Sequence, residues 1–421
     1  MLGIPEAVER IHAGVTALPG ERISLDDSLN RVLARDVYAQ VDVPAWDNSA
    51  MDGYAVRHED ILGASESSPV TLRVRETVVA GSEPPDRLRP GECVRIMTGA
   101  PVPPGCDTVV RLEDTDRGAS VVRIESMRDA GRNVRPRGQD LSAGDVSVAA
   151  GTRLRAAHLG LLAASGASVV TVHRRPRVLL LCSGNELVEL DRFEAALAGR
   201  RIVSTNGYTL RALLSEAGAE VVDGGIVPDD RASWTEAVRE AEAYDLVLTT
   251  GGASVGAFDF ARVAAEECGF ELDFWRVKVR PGSQSALARR GSTRWLILPG
   301  NPVSAMVGFE VFARPLLRRL SGDERAFRKP VMVRLGETVR SAGEATFLLR
   351  ATLTPADGGS EPVAVLTGPQ GTGLLGSMAA ADALIVVPEE TQELAAGSLA
   401  SALLLEGGPF DTRFSLSASG A

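Results

Sequence analysis

The sequence has almost no lysine. Lys278 and Lys329 are the only two, so arginine supplies 43 of the 45 cationic side chains. With abundant alanine and glycine, this is the mark of base-composition bias, so an arginine where lysine is usual carries less meaning than a lost charge. Aromatic residues are scarce at 5%, which leaves the cores to Leu, Val, Ile and Ala. Cys93, Cys106, Cys182 and Cys268 are the only cysteines, and none forms a C-x-x-C pair. A chain of this length needs no disulfide staples, so a reduced, cytoplasmic protein is expected. Four scattered histidines give no zinc-ligand spacing. No apolar run approaches the ~20 residues of a membrane span. The opening MLGIPEAVERIHAG carries charges at helical spacing, not the apolar centre of a signal peptide. A net charge of −10 and a pI near 5.2 argue against nucleic acid as a partner. A small anion in a local basic pocket remains compatible.

What is present is length and pattern. With 421 residues the chain is too long for one ordinary core. Residues 4–17 read as an amphipathic helix with Ile4, Val8, Ile11 and Val15 on one stripe. A second helix is expected from Ser24 or Asp26 through Leu33. From about Pro44 to Gly138, short alternating runs between Pro/Gly clusters predict a small all-β module. LRAAHLGLLAASG predicts a helix ending at Gly166. From Arg177 the texture is α/β. Val178–Cys182, Val221–Val227, Leu246–Thr250 and Leu296–Leu298 read as strands, and a helix capped at Asn206 runs to Gly218. A long helix is expected from the PGNP turn to about Leu320. After Ser321, evenly spaced short strands suggest a small barrel or sandwich.

Seven segments carry chemistry. VPAWDNSAMDGYAV holds Asp47 and Asp52 among turn formers, which presents Asp52 as an acceptor for a metal or hydroxyl; a plain capped turn has the same residues. RIMTGAPVPPGCD places Thr98 at a strand end before a proline-stiffened loop, or forms a rigid turn. GRNVRPRGQDLSAGD sets Arg132, Arg135 and Arg137 beside Asp140 and Asp145, either a guanidinium site for phosphate or a solvated charge run. LCSGNEL puts Glu186 just past a buried strand, where α/β sheets bind ligands, or where a helix start takes a carboxylate. LVLTTGGASVGAFD is the strongest local signal. Gly251, Gly252, Ser254 and Gly256 let backbone N–H groups approach an anion, and Asp259 suits Mg²⁺ beside it. Its spacing is neither a P-loop nor a dinucleotide fingerprint. WRVKVRPGSQS alternates Arg276, Lys278 and Arg280, a row of cations on one strand face for an oxyanion or for guarding a sheet edge. LPGNPVSAMVGFE fixes a strand-to-helix turn at Pro299 and Asn301, with Ser304 in the first helical turn. The fourth, fifth and seventh segments share one sheet edge in a parallel arrangement.

VPAWDNSAMDGYAV, RIMTGAPVPPGCD, TTGGASVGAFDF and LPGNPVSA, in this order over nearly the whole chain, resemble the motifs of the molybdopterin molybdenumtransferases. The resemblance implies a multidomain α/β plus β fold. Its parts are a central α/β domain with a parallel sheet, related to the molybdopterin adenylyltransferases (1–20 and 176–325), a linking domain (21–43 and 141–175), an inserted small β domain (44–140) and a C-terminal β-barrel (326–421). It implies a homodimer that takes adenylylated molybdopterin and molybdate as substrates and uses Mg²⁺ to release AMP. An adenylyltransferase would act upstream, and molybdoenzymes or their chaperones downstream. On this reading Gly251, Gly252, Ser254 and Gly256 cradle phosphate or pterin. Glu186, Asp229 and Asp259 hold Mg²⁺ or position the attacking oxygen. Asp52, Thr98 and Asp140 reach in from the inserted domain of the partner subunit. Arg276, Arg280, Pro299, Asn301, Ser304 and Arg350 face substrate or oxyanion. One departure stands out: the family's Lys-Pro-Gly-Lys-Pro is Arg280-Pro281-Gly282-Ser283-Gln284 here, so Ser283 removes a cation. A non-catalytic pterin-binding or scaffold paralogue, a tungstate-inserting enzyme and a pyrophosphatase for another nucleotide conjugate remain alternatives.

Overall fold

The computed structural model describes residues 1–83, 86–251, 258–356 and 361–405, with the backbone alone at 258 and 259. The chain forms two compact units, residues 22–172 and residues 1–21 with 173–421. Helix α1 (Ile4–His12) opens the chain. It stops short of residue 17 because Ala13 leaves helical geometry and Gly14 takes a φ of 69°. Ala7 and Ile11 are its buried residues, and Ile4, Val8 and Val15 pack half-buried on the same core.

The unit 22–172 is built around a five-stranded sheet of β1 (Gly53–Val56), β2 (Val70–Val78), β3 (Glu92–Ile96), β4 (Thr108–Arg111) and β5 (Val121–Ile124), in the order β4-β1-β3-β2-β5. Tyr54, Ile61, Leu72, Val122 and Ile124 fill one face of it. The helix expected over 24–33 does not form. Ser24 Oγ accepts from Asp27 N at 3.2 Å, but only one 3₁₀ turn follows, Asp26–Ser28. Asn30 then turns left-handed at φ 65°, and Val32 and Leu33 bridge to Arg153 and Val172 as buried β residues. Burial in a β layer here outweighs a weak helical propensity. Helix α2 (Ala156–Ala164) ends before Gly166 at φ 92°, as its sequence predicts.

The second unit holds a six-stranded sheet. Its strands are β6 (Arg177–Ser183), β7 (Glu220–Val227), β8 (Leu246–Thr250), β9 (Glu271–Phe274), β11 (Ala286–Arg290) and β12 (Thr293–Leu298); the short β10 (Val279–Arg280) lies outside it. The order is β7-β6-β8-β12-β11-β9. β7, β6, β8 and β12 are parallel, whereas β12–β11 and β11–β9 are antiparallel. The expected parallel sheet is therefore mixed. Two residues, Gly291 and Ser292, join β11 to β12, and so short a link permits only a hairpin. Val178–Ser183 and the whole of β8 and β12 are buried, as central strands covered on both faces require. Helices α3 (Thr205–Glu216), α4 (Arg231–Ala237) and α5 (Phe258–Glu267) serve this sheet. The expected long helix after PGNP is α6 (Pro302–Gly308), a π-helical segment Phe309–Ala313, and α7 (Arg314–Leu320).

The C-terminal strands β13 (Pro330–Leu335), β14 (Thr346–Thr354), β15 (Val363–Leu366), β16 (Ala383–Val387) and β17 (Leu399–Leu404) close into a barrel. The ring runs β14-β15-β13-β17-β16 and returns through the β14–β16 pairing. Ala351, Ala364, Ala383, Ala400 and Ala402 alternate with larger aliphatics inside it, the small-and-large mixture a narrow barrel needs. β10 adds parallel to β14 and so ties the loop preceding β11 to the barrel.

Candidate active site

Three parallel strands end together. Ser183 closes β6, Thr250 closes β8 and Leu298 closes β12, with mutual register along the sheet. The loops beyond them meet backbone to backbone. Gly251 has a φ of 87°, and a Cβ there would lie 2.1 Å from Ser183 O. No other residue fits this approach without moving the strand ends. A Cβ on Gly300 would lie 3.3 Å from Gly251 Cα, and Asn206 Nδ2 donates to Gly300 O at 2.8 Å.

Around this junction lies a cleft of about 700 Å³. Ser183, Glu186, Ser204, Asn206, Asp229, Thr250, Gly251 and Asn301 line it, and barrel-side residues Gly373 and Leu375 border it. Among the described residues its charged lining is Glu186 and Asp229, without an arginine or lysine. Asp229 is fixed at the end of β7 by Ser183 Oγ, which donates to one carboxylate oxygen, and by Asn185 N, which donates to the other at 3.1 Å. Burial pushes the Cys182 thiol up, so this side of the strand offers no thiolate.

A second cavity, of about 420 Å³, adjoins the first: Gln284 and Asn301 line both. Arg280, Ser283, Pro299, Ser304, Arg340, Gln370 and Thr372 also line it. Its charge is the opposite of the cleft's. Arg280 is exposed and only loosely paired with Glu344 at 4.0 Å, and Arg340 Nε donates to Glu393 at 2.9 Å. Behind this wall Arg350 is 1% exposed. Its Nε donates to Ser377 Oγ at 2.9 Å and its Nη2 to Pro369 O at 3.1 Å, both neutral acceptors. Burial lowers its pKa from the usual arginine range, yet a guanidinium stays charged. Gln370 clamps the main chain of Arg350 from both sides, accepting from its N at 2.9 Å and donating to its O at 3.1 Å. Val303 N at the start of α6 donates to Thr372 O, which seats the barrel loop on the strand-to-helix turn.

The residues expected from sequence divide as follows. Glu186, Asp229 and Gly251 line the cleft, Arg280, Pro299 and Ser304 line the arginine cavity, and Asn301 lines both. Arg276 is exposed and lines neither, and Arg350 stands behind the cavity wall, not on it. Of the expected row Arg276–Lys278–Arg280 only Val279–Arg280 is strand, but the alternation holds in burial, with Val277 and Val279 buried between the three cations. Val277 N donates to Ser283 O and Val279 N to Val277 O, and Lys278 Nζ pairs with Glu389 at 3.1 Å. Gly252, Ser254 and Gly256 lie outside the described residues, as does the side chain of Asp259 in the first turn of α5.

Asp52, Thr98 and Asp140 belong to the unit 22–172. Thr98 N and Thr98 Oγ1 both donate to Asp52 Oδ1 at 2.8 Å, and these bonds hold its carboxyl below the usual range. Asp140 is exposed, with its main-chain N bonded to Val43 O. In the arginine run beside it Arg137 pairs with Asp42 and its N donates to Asp47 at 2.7 Å, while Arg132 and Arg135 are exposed.

Sequence reasoning missed Asn206 as a cleft residue. Ser204 is the N-cap of α3 and Asn206 sits inside the first turn, spending its amide on Gly300. It also missed Arg340 and Gln370, which reach the cavity from the C-terminal region and carry no local signal.

The comparisons agree along the whole chain. The MoeA N-terminal region (domain I and II) matches residues 2–166, a probable molybdopterin binding domain matches 179–319, and the MoeA C-terminal region (domain IV) matches 332–405. The chain belongs to the MoeA family. A molybdopterin molybdenumtransferase of Staphylococcus epidermidis is 31% identical over 97% of both chains. Molybdopterin molybdenumtransferase 2 of Mycobacterium tuberculosis is 36% identical over 89% of this chain and 93% of its own. Among solved structures, a molybdopterin biosynthesis MoeA protein of Pyrococcus horikoshii OT3 superposes with a TM-score of 0.83 at 26% identity, covering 96% of this chain and all of that one. Curated members of this family carry the name of a transferase, and the α/β domain with its neighbouring closed barrel is the fold they share.

Proposed function

We propose that the chain inserts molybdenum into molybdopterin, taking adenylylated molybdopterin and molybdate and releasing AMP with Mg²⁺. The observation that carries this reading is the junction of two cavities of opposite charge over one shared wall, Gln284 and Asn301. The substrate's heterocycle and phosphates suit the larger cleft, and a tetrahedral dianion suits the arginine-lined one, so the two reactants meet at the boundary.

The donor set fits Mg²⁺. Glu186 and Asp229 offer hard carboxylate oxygens on a wall that carries no cation among the described residues, and Mg²⁺ commonly takes one or two carboxylates with substrate phosphate and water. Among the described residues no group of three His, Cys, Asp or Glu forms a cage, so the phosphates would complete the shell. Bound there, the ion would neutralise charge on the phosphoanhydride as it is cleaved. Ser183 and Asn185 hold Asp229 in place, and Gly251 lets the backbone close against the phosphates. Arg280 and Arg340 bind the oxyanion at the surface, while the buried charge of Arg350 adds to the field from behind.

The finer assignments follow the resemblance. Asp52, Thr98 and Asp140 are assigned to the substrate across a homodimer, with Asp52 poised as a carboxylate by its two bonds from Thr98. The work is placed in the cytoplasm, between an adenylyltransferase and the molybdoenzymes or chaperones that receive the cofactor. Four free cysteines support a reducing compartment, and among the described residues no helix is long and apolar enough to cross a membrane.

The test is AMP release from adenylylated molybdopterin with Mg²⁺ at low molybdate. Release that needs both ions is expected. No release with molybdate present sinks the proposal, and release indifferent to molybdate replaces it with a pyrophosphatase.

A further inference from the structure

The two acids of the cleft are placed by different means. Asp229 is held by donors. Ser183 Oγ reaches one carboxylate oxygen and Asn185 N the other, and Asn185 Oδ1 accepts from Asp229 N at 3.2 Å. Glu186 lacks this support: among the described residues nothing donates to its carboxylate. Its main chain is nevertheless fixed. Leu187 N donates to Gly184 O at 3.0 Å, closing a turn with Asn185 and Glu186 at its corner, and Ile202 N donates to Glu186 O at 2.9 Å. What sets the carboxylate lies under it. A Cβ on the buried Gly184 would be 2.7 Å from Glu186 Oε1 and 2.8 Å from both Cδ and Oε2. The carboxylate fills the volume that a side chain at 184 would take.

The residues on either side of Gly184, Ser183 and Asn185, are the two whose donors hold the Asp229 carboxylate. Both acids therefore converge on one tripeptide, and Gly184, Glu186 and Asp229 all line the cleft. Two carboxylates gathered in this way repel each other, and a divalent cation between them relieves the repulsion. Resting on the Mg²⁺ reading above, we infer that Gly184 is a positioning residue: its missing side chain seats the carboxylate of Glu186 on the tripeptide that also holds Asp229, so that both acids reach one divalent cation. The contrast with Gly251 supports this division of work. A Cβ at Gly251 would strike main chain, which cannot yield, whereas one at Gly184 would strike the end of a flexible side chain, which swings away. The first glycine shapes the cleft and the second aims a ligand.

The probe is Mn²⁺ alone, titrated into the full-length protein and read from the electron paramagnetic resonance signal of the free ion. Gly184→Ala and Glu186→Gln are each expected to weaken Mn²⁺ binding by about tenfold, the scale on which a group that orients a metal ligand acts. The double variant should bind no more weakly than Glu186→Gln. An alanine that acts by turning out one carboxylate has nothing left to disturb once that carboxylate is gone. Losses that add would come from backbone strain at the φ of 157° and would overturn the inference, as would full affinity in Gly184→Ala. Should Gly184→Ala not fold, Glu186→Asp asks the same question with the glycine intact. Its carboxylate is one methylene short of the seat, so a similar loss of about tenfold is expected although the charge is kept; wild-type affinity would count against the inference. A wild type that binds no Mn²⁺ would instead remove the cation site from the proposed function, and the role of Gly184 with it.

Discussion

The acid-lined cleft and the arginine-lined cavity are neighbours built from different materials. The cleft rests on strand ends. Its shape comes from backbone contacts among Ser183, Gly251 and Gly300, so it is rigid by construction. The cavity is assembled from side chains of two sources, the Arg280–Gln284 turn of the α/β region and Arg340 with Gln370 of the C-terminal region. Backbone contacts do not tolerate drift, whereas an arginine reaching across a gap can be supplied from several positions. On this comparison a substitution at Gly251 or Gly300 disturbs the shape of the cleft more than one at Ser283 disturbs the cavity.

The sharpest way to break this contrast is Gly251→Ala. The new Cβ would meet Ser183 O at 2.1 Å at a φ of 87°, and neither atom has a rotamer to give. A destabilisation on the order of 3 kcal/mol or more is expected, from strain and displaced strand ends together. Thermal and urea unfolding measure it. A loss below about 1 kcal/mol would mean the junction is soft, and the distinction between the two cavities would fall with it.

The next test asks whether the cavities hold different ligands. Glu186→Gln removes a cleft charge with little change of shape, and Arg280→Ala removes a cation from the other side. Glu186→Gln is expected to lower AMP release by about a hundredfold, the scale of one electrostatic contact in a transition state, with partial recovery at high Mg²⁺. Arg280→Ala should instead raise the molybdate needed for half-maximal release by about tenfold. The pair of variants is read as a double dissociation in Mg²⁺ and molybdate titrations. If both variants shift both titrations alike, the two cavities act as one site.

The same contrast shows what the sequence makes legible. The cleft was readable because continuous apolar runs such as Val178–Cys182 and Leu246–Thr250 predict buried strands, and a glycine just past such a run marks a close approach. Glu186 and Gly251 therefore lie on the cleft as the pattern suggests, whereas Asp229, expected only from the resemblance, carries no local signal of its own. The cavity was only half readable. Arg280 and Ser304 lie on it, but Arg340 comes from a separate two-stranded pairing of Val339–Arg340 with Glu393–Leu394 and Gln370 from a loop, long-range placements that no local pattern encodes. The alternation at Arg276–Arg280 holds in burial, yet of its three cations only Arg280 lines the cavity, while Lys278 turns to Glu389. Asn206 was read as a cap because an asparagine at a helix start satisfies that role equally well on sequence grounds. Only the distance to Gly300 separates the two.

The smallest expected effect bears on Ser283. Ser283 lines the arginine cavity and is half-buried, with room toward the neighbouring Arg280 and Arg340. Ser283→Lys adds a point charge to a wall that already carries two guanidiniums. At a solvent-facing site, attraction to a dianion is worth on the order of 1 kcal/mol, so molybdate affinity should rise by about fivefold. The gain should shrink as salt is added, because the added charge acts through solvent. Molybdate-dependent AMP release at low and high ionic strength measures both. An unchanged affinity at low salt would show that Arg340, already paired with Glu393 at 2.9 Å, supplies the missing charge from the barrel side. A fall in affinity would mean that the longer side chain competes for the space the oxyanion needs, which would locate the dianion against the Arg280–Gln284 turn and not toward the barrel.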